Sequence, residues 1–307
     1  MSSPVIEYTN VTRTFGDVTA LAGVTLALGQ GELIGMLGPN GAGKSTLLTP
    51  ASGLRAPSSG TVRLMGRDPR DPVARVRLGT TPQETGLPAT LKVGEVIDFV
   101  SGHYPDPMSR DEVMEMFGLT DLATRQTGGL SGGQKRRLAV ALAVVGKPRV
   151  VLLDEPTTGL DVDARHVLWQ AVRDYHSSGA TVVVTSHYLE EIEALAERVV
   201  VIGSGRVIAD EPLAQVLKRV AVRQVLVRIP ATQSAEDGGV LAGLTASGLV
   251  VDHTVDGDRH TLLTADADEL VRSLVTQGVA FHDLEVRRAS LEEAFLAMTG
   301  STTGAAA

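Results

Sequence analysis

Apolar and polar positions along this chain keep one rhythm up to about residues 212–222 and another after it. In the first stretch Val24, Leu26 and Leu28 alternate with Thr25 and Ala27, the mark of a half-exposed strand. Gly29, Gln30 and Gly31 turn it into a more continuous apolar strand over 32–37. Residues 43–52, 93–102, 110–118 and 132–146 carry helical spacing, the second and third as parts of an inserted helical region. The last of them is closed by Lys147 and Pro148. Segments 150–154 and 181–186 are rich in Val and Leu, as expected of strands buried on both faces of a parallel sheet. A helix over 162–178, ending at Gly179, lies between them. This β-α-β alternation predicts an α/β fold.

Beyond residue 222 the pattern predicts a strand at 224–229, a polar loop at 234–239 and a short helix reaching Ala246. Strands at 249–255 and 259–264 flank Asp256, Gly257 and Asp258, a hairpin turn. A helix at 267–277, an extended segment at 279–286 and a helix at 290–298 follow. The order β-α-β-β-α-β matches a ferredoxin-like split βαβ. The expected organisation is therefore a domain over 1–218, with a helical subdomain at about 84–147, then a small α+β accessory domain over 219–300. Residues 301–307 form a small, polar tail expected to be frayed.

Composition narrows the function. A chain of 307 residues can bury a substantial core. Its 43% hydrophobic and 21% charged residues are ordinary for a soluble globular protein. A net charge of −8 argues against a nucleic-acid footprint. With no cysteine, disulfides, thiolate metal sites and thiol catalysis are excluded. The first residues show no signal-peptide pattern, and no apolar run approaches the roughly 20 residues that span a bilayer. Any action at a membrane needs a spanning partner chain.

Two motifs carry candidate chemistry. Gly38, Pro39, Asn40, Gly41, Ala42, Gly43, Lys44, Ser45 and Thr46 fit GxxxxGK(S/T) between a buried strand and a helix. Glycines there let successive N–H groups face phosphate oxygens, aided by the helix start. Lys44 would reach the β- and γ-phosphates, and the Ser45 hydroxyl would ligate Mg²⁺. The strand 150–154 delivers Asp154, followed by Glu155, to its carboxyl end, where such sheets bind ligands. Asp154 would hold Mg²⁺ through its water shell, and Glu155 would position or deprotonate the attacking water. The alternative for this pair is an acidic helix cap ahead of Pro156.

Between these motifs lies Leu130, Ser131, Gly132, Gly133 and Gln134, opening an Arg-rich helix. This LSGGQ resembles the signature of ATP-binding cassette (ABC) ATPases, and the two flanking motifs resemble that family's phosphate loop and Walker B strand. The resemblance covers residues 5 to about 218. It implies a P-loop NTPase cassette with a RecA-like core, an antiparallel β subdomain and a helical subdomain. It also implies hydrolysis of ATP to ADP and phosphate with Mg²⁺. The signature, through Ser131, Gly132, Gly133 and Gln134, contacts ATP bound to a second copy, so the working unit is a homodimer. Further residues follow from the same resemblance. Phe15 matches the aromatic that stacks on adenine, against the alternative of one more core aromatic. Gln83 matches the Q-loop glutamine, which senses Mg²⁺ and couples to the membrane subunit. Asp161, in Gly159-Leu160-Asp161, matches the D-loop, and His187 the switch histidine that bonds the γ-phosphate. Thr49 and Pro50 depart from the pattern inside the helix after the phosphate loop, and the proline should bend or end it.

The C-terminal region resembles the small domain of ATP-binding subunits in bacterial daunorubicin/doxorubicin-type drug exporters, on residues 290–300. Leu291, Phe295 and Met298 fall on one helical face there, suited either to packing on its own domain or to docking. The resemblance implies an exporter ATPase at the cytoplasmic face of the membrane, bound to separate transmembrane permease subunits. An importer ATPase or a non-transport ABC scaffold is the alternative. A single phosphate loop sets aside two-cassette translation factors, and the lack of long heptads sets aside chromosome-maintenance ATPases. The cargo pathway would lie in another chain.

Overall fold

The computed structural model describes residues 4–81, 86–220, 223–230 and 234–288. The chain divides into two compact units, Met1–Leu213 and Ala214–Ala307.

The first unit is built on a six-stranded sheet of order β5-β6-β7-β3-β8-β9. Its strands are β3 (Leu33–Leu37), β5 (Leu78–Thr81), β6 (Val150–Asp154), β7 (Thr181–Ser186), β8 (Arg198–Gly203) and β9 (Arg206–Pro212). All neighbours pair parallel except β9, which runs antiparallel to β8. A second sheet, of order β2-β1-β4, joins β1 (Pro4–Phe15), β2 (Val18–Gly29) and β4 (Ser59–Leu64) in antiparallel pairs. Helices α1 (Lys44–Ala51), α2 (Pro72–Arg75), α3 (Val93–Ser101), α4 (Arg110–Met116), α5 (Gly132–Val144), α6 (Val162–Ser177) and α7 (Leu189–Leu195) complete the unit.

Period-two alternation sends the two faces of the parallel sheet into different cores. Val151, Leu153, Val182 and Val184 pack with Leu138 and Val144 of α5 and Leu168 and Val172 of α6. Val150, Leu152, Val183 and Val200 pack instead with Leu47 of α1 and with Tyr8 and Leu26 of the antiparallel sheet. Each fully buried aliphatic side chain contributes about 1.5–3 kcal/mol, so continuous apolar strands with no polar face are what this sheet requires. The Tyr8 hydroxyl donates to the carbonyl of Leu47 at 3.0 Å, and burial raises its pKa well above the phenol range. That bond fixes α1 against the antiparallel sheet.

Register brings the site together. Leu37 pairs with Ser186, and Asp154 with Thr185, so β3, β6 and β7 end level at one edge of the sheet. Pro50 occupies the penultimate position of α1, where its missing N–H costs one bond of the last turn, and the helix stops one residue later.

In the second unit α8 (Leu213–Val220) begins at the division and β10 (Arg223–Arg228) follows. Next come α9 (Ser234–Ala246), β11 (Asp252–Asp256), β12 (Arg259–Thr264), α10 (Ala267–Thr276) and β13 (His282–Arg288). The sheet order β11-β12-β10-β13, antiparallel throughout, is the ferredoxin-like split βαβ. One expectation fails here: residues 234–239 are the first turns of α9, not a loop. Leu241 and Leu244 on that helix bury with Val227 and Leu262, and this packing overrides the polar, Gly-containing composition of its start. The closing segment 290–300 lies outside the described residues.

Candidate active site

The loop between β3 and α1 is held open for an anion. Gly43, with φ 108, begins α1 in a conformation that side-chain-bearing residues avoid, and a Cβ there would come 2.7 Å from the carbonyl of Ala20. No side chain caps α1, and no acidic residue sits in its first turn. Its leading N–H groups and positive dipole end are therefore available to a phosphate. Lys44 is 4% exposed, and its Nζ donates to the carbonyls of Gly38 at 2.7 Å and Pro39 at 3.1 Å. Burial pushes its pKa down, while Glu155 and Asp154 pull it back up. A buried ammonium on two loop carbonyls is a cation poised to trade them for phosphate oxygens.

The carboxylates divide as their surroundings dictate. Asp154 Oδ1 accepts from Ser45 Oγ at 2.9 Å and from Thr185 Oγ1 at 2.6 Å, and the Asp154 amide donates to Thr81 Oγ1 at 3.1 Å. Glu155 takes a left-handed backbone, φ 47. Its amide donates to Thr185 Oγ1 at 2.9 Å. Its Oε1 lies 3.9 Å from Lys44 Nζ and 3.3 Å from His187 Nδ1, and its Oε2 accepts from Thr158 Oγ1 at 3.3 Å. Lys44, Ser45, Asp154, Glu155 and His187 thus converge at the level edge of the sheet. The acidic-cap alternative fails, because the next helix, α6, is capped by Asp161, whose Oδ1 accepts from Ala164 N at 2.8 Å.

Ser45 Oγ and Asp154 Oδ1 form a compact pair of hard oxygen donors, which fits Mg²⁺. No cluster of three or more His, Cys, Asp or Glu able to hold a metal occurs among the described residues. Such a sparse protein donor set suits an ion completed by phosphate and water.

The signature residues stand apart. Ser131 caps α5: its Oγ accepts from Gln134 N at 3.2 Å while Gln134 Oε1 accepts from Ser131 N at 3.0 Å. Ser131 and Gly132 are exposed, and Gly133 abuts Leu160, where a Cβ would meet Cδ2 at 2.9 Å. Both cap bonds stay within the first turn of α5, and with Ser131 and Gly132 exposed the α5 start faces outward. Phe15 is 45% exposed, with the Arg13 guanidinium 4.7 Å over its ring, and is not a core aromatic. Its partner in the β1–β2 hairpin is Val18, two residues from Ala20 beside Gly43. Gln83 lies outside the described residues.

Two residues in the site escaped sequence reading. Thr185 bonds both carboxylate positions from inside an otherwise apolar strand. Arg136, on α5, donates through Nη2 to the carbonyls of Asp154 and, at 3.0 Å, Glu155, and through Nε to that of Pro156 at 3.3 Å. The available signal was a polar residue on a buried face: Arg136 shares the α5 stripe of Val140 and Ala143.

Known proteins agree with this geometry. Residues 21–158 match the family model described as ABC transporter. The chain is 34% identical to the daunorubicin resistance ATP-binding protein DrrA3 of Streptomyces coeruleorubidus, over 98% of this chain and 97% of that protein. It is also 34% identical to the Nod factor export ATP-binding protein I of Paraburkholderia xenovorans, over 98% of each. A dimeric ATP-binding cassette in a post-hydrolysis state, bound to ADP and Pi, superposes with a TM-score of 0.62 at 28% identity, covering 68% of this chain and 98% of that one. With a phosphate loop, a strand ending in two carboxylates and LSGGQ opening α5 in one full-length match, the chain belongs to the ATP-binding proteins of the ABC transporter family.

Proposed function

We propose that this chain is the ATP-hydrolysing subunit of an ABC exporter and works as a pair of identical copies closing on two ATP molecules. The observation that carries the reading is the meeting of Lys44, Glu155 and His187 beside the uncapped start of α1. The relatives named for daunorubicin resistance and Nod factor export support export over import.

In this reading the loop from Gly38 to Thr46 cradles the phosphates. Lys44 exchanges the carbonyls of Gly38 and Pro39 for the β- and γ-phosphates, and the exposed Phe15 ring receives adenine. Ser45, Asp154 and Gln83 would hold Mg²⁺, which would supply positive charge to offset that of the phosphates. Glu155 orients a water for attack on the γ-phosphorus and takes its proton as the bond to ADP breaks. His187 bonds the γ-phosphate and steadies Glu155. The second copy supplies the Ser131 hydroxyl and the N–H groups of Gly132 and Gly133, with Gln134 locking that helix start and Asp161 at the crossing. Closure is relayed to separate permease subunits at the cytoplasmic face of the membrane. Among the described residues no helix is long and apolar enough to cross a membrane, which supports a spanning partner.

Lys44→Ala tests the phosphate site. It should weaken ATP binding at least tenfold by calorimetry, since about 1.5–3 kcal/mol resides in one hydrogen bond to a charged group. Unchanged affinity would overturn the assignment.

A further inference from the structure

Arg136 sits where the two functions of α5 meet. The start of that helix faces outward through Ser131, while Arg136, five residues on and about 7.5 Å along the axis, points inward and is 7% exposed. Its guanidinium gathers three successive carbonyls, those of Asp154, Glu155 and Pro156. Those carbonyls belong to the turn that holds Glu155 at φ 47. A left-handed non-glycine backbone costs roughly 1–3 kcal/mol and persists only where surrounding contacts over-determine it. On the amide side Thr185 supplies those contacts; on the carbonyl side Arg136 does. Burial lowers the Arg136 pKa, and the charges of Asp154, Glu155 and Glu191 offset that effect. A rigid planar fork suits a row of carbonyls in a way a lysine ammonium does not.

We propose that Arg136 is a positioning residue for hydrolysis: from the signature helix it fixes the turn that aims Glu155 in its own subunit's site. This rests on the reading above, in which α5 extends Ser131 toward the other subunit's ATP. One helix therefore carries a contact for the neighbouring site at its tip and a brace for its own catalytic turn one turn later.

The test uses the full-length dimer. Arg136→Gln and the milder Arg136→Lys should lower kcat, by about 100-fold and 10-fold, because misplacing a reacting group by about 1 Å costs about that much. KM for ATP should stay within about twofold, since the phosphate loop is untouched. Circular dichroism melts identify variants that fold, and Arg136→Lys keeps the test open if Arg136→Gln does not. Mixed dimers then separate positioning from general weakening. In a dimer with Lys44→Ala in one subunit, one working phosphate loop remains. Arg136→Gln in the subunit carrying that loop should impose the full loss. Placed instead in the Lys44→Ala subunit, it should cost under threefold. Equal loss in both placements, a raised KM at unchanged kcat, or no loss at all would overturn the proposal. Failure of Lys44→Ala and Ser131→Asp subunits to complement each other would instead undo the two-subunit reading beneath it.

Discussion

Replacing Glu155 by Gln isolates charge from shape. Glutamine keeps the side-chain volume, the Cβ at φ 47 and the capacity to accept from Thr158 Oγ1, now at 3.3 Å. Only the negative charge and the proton-accepting oxygen disappear. A positioned general base contributes about 10²–10⁴-fold, which at 1.36 kcal/mol per decade is about 3–5 kcal/mol of barrier. Binding should move the other way. Glu155 Oε1 attracts Lys44 Nζ across 3.9 Å, an attraction of at most about 4 kcal/mol at an effective dielectric of 20, and partial exposure of Glu155 screens it further. Freed from that competitor, Lys44 should hold ATP up to about tenfold more tightly, or about 1.4 kcal/mol. The assays are phosphate release at saturating ATP and size exclusion with and without nucleotide. Expected are a kcat at least 100-fold down and a dimer that accumulates with ATP. A kcat within tenfold of the parent would refute the reasoning, because the carboxylate would then not serve the attacking water.

Two further outcomes rest on the same surroundings. Thr185→Val keeps shape but removes a 2.6 Å bond to the buried Asp154 carboxylate, which should destabilise the protein by about 1.5–3 kcal/mol and lower the nucleotide-free Tm by several degrees; an unchanged Tm would show the bond to be dispensable. Glu191 is 2% exposed, and burial raises its pKa, partly countered by the polar side chains of Ser186 and Thr157 beside it. Its folded-state pKa exceeds its unfolded one, so its contribution is full below the unfolded pKa and is lost as pH rises through the folded one. Glu191→Gln should accordingly flatten the fall in Tm as pH rises above the ordinary carboxylate range, and a pH profile identical to the parent's would count against a protonation role.

The edges of β6 and β7 were legible because both strands are buried on both faces, so their apolar runs stop where the sheet stops. The phosphate loop was legible because GxxxxGK(S/T) is a local solution to a local problem, an uncapped helix start after a strand. Composition misled at 234–239, where burial of Leu241 and Leu244 outweighs Gly238 and Gly239 in deciding for helix. Arg136 and Thr185 were hidden for another reason. Their partners lie 18 to 31 residues away, and only the parallel register and the return of α5 onto β6 bring them together. Ser131 was legible as chemistry, but its exposure on the outward end of α5 emerged only from the fold.

Complementation between two inactive subunits tests the composite site most directly. Lys44→Ala disables the phosphate loop, and Ser131→Asp keeps the α5 cap through an oxygen acceptor while setting a negative charge against the neighbour's γ-phosphate. Mixed one to one, half the dimers are hybrids with one intact site of two, so hydrolysis should return to about a quarter of the parent rate. If each subunit's signature served its own ATP, every site in the mixture would carry a lesion, and activity at the level of the separate variants would contradict the account.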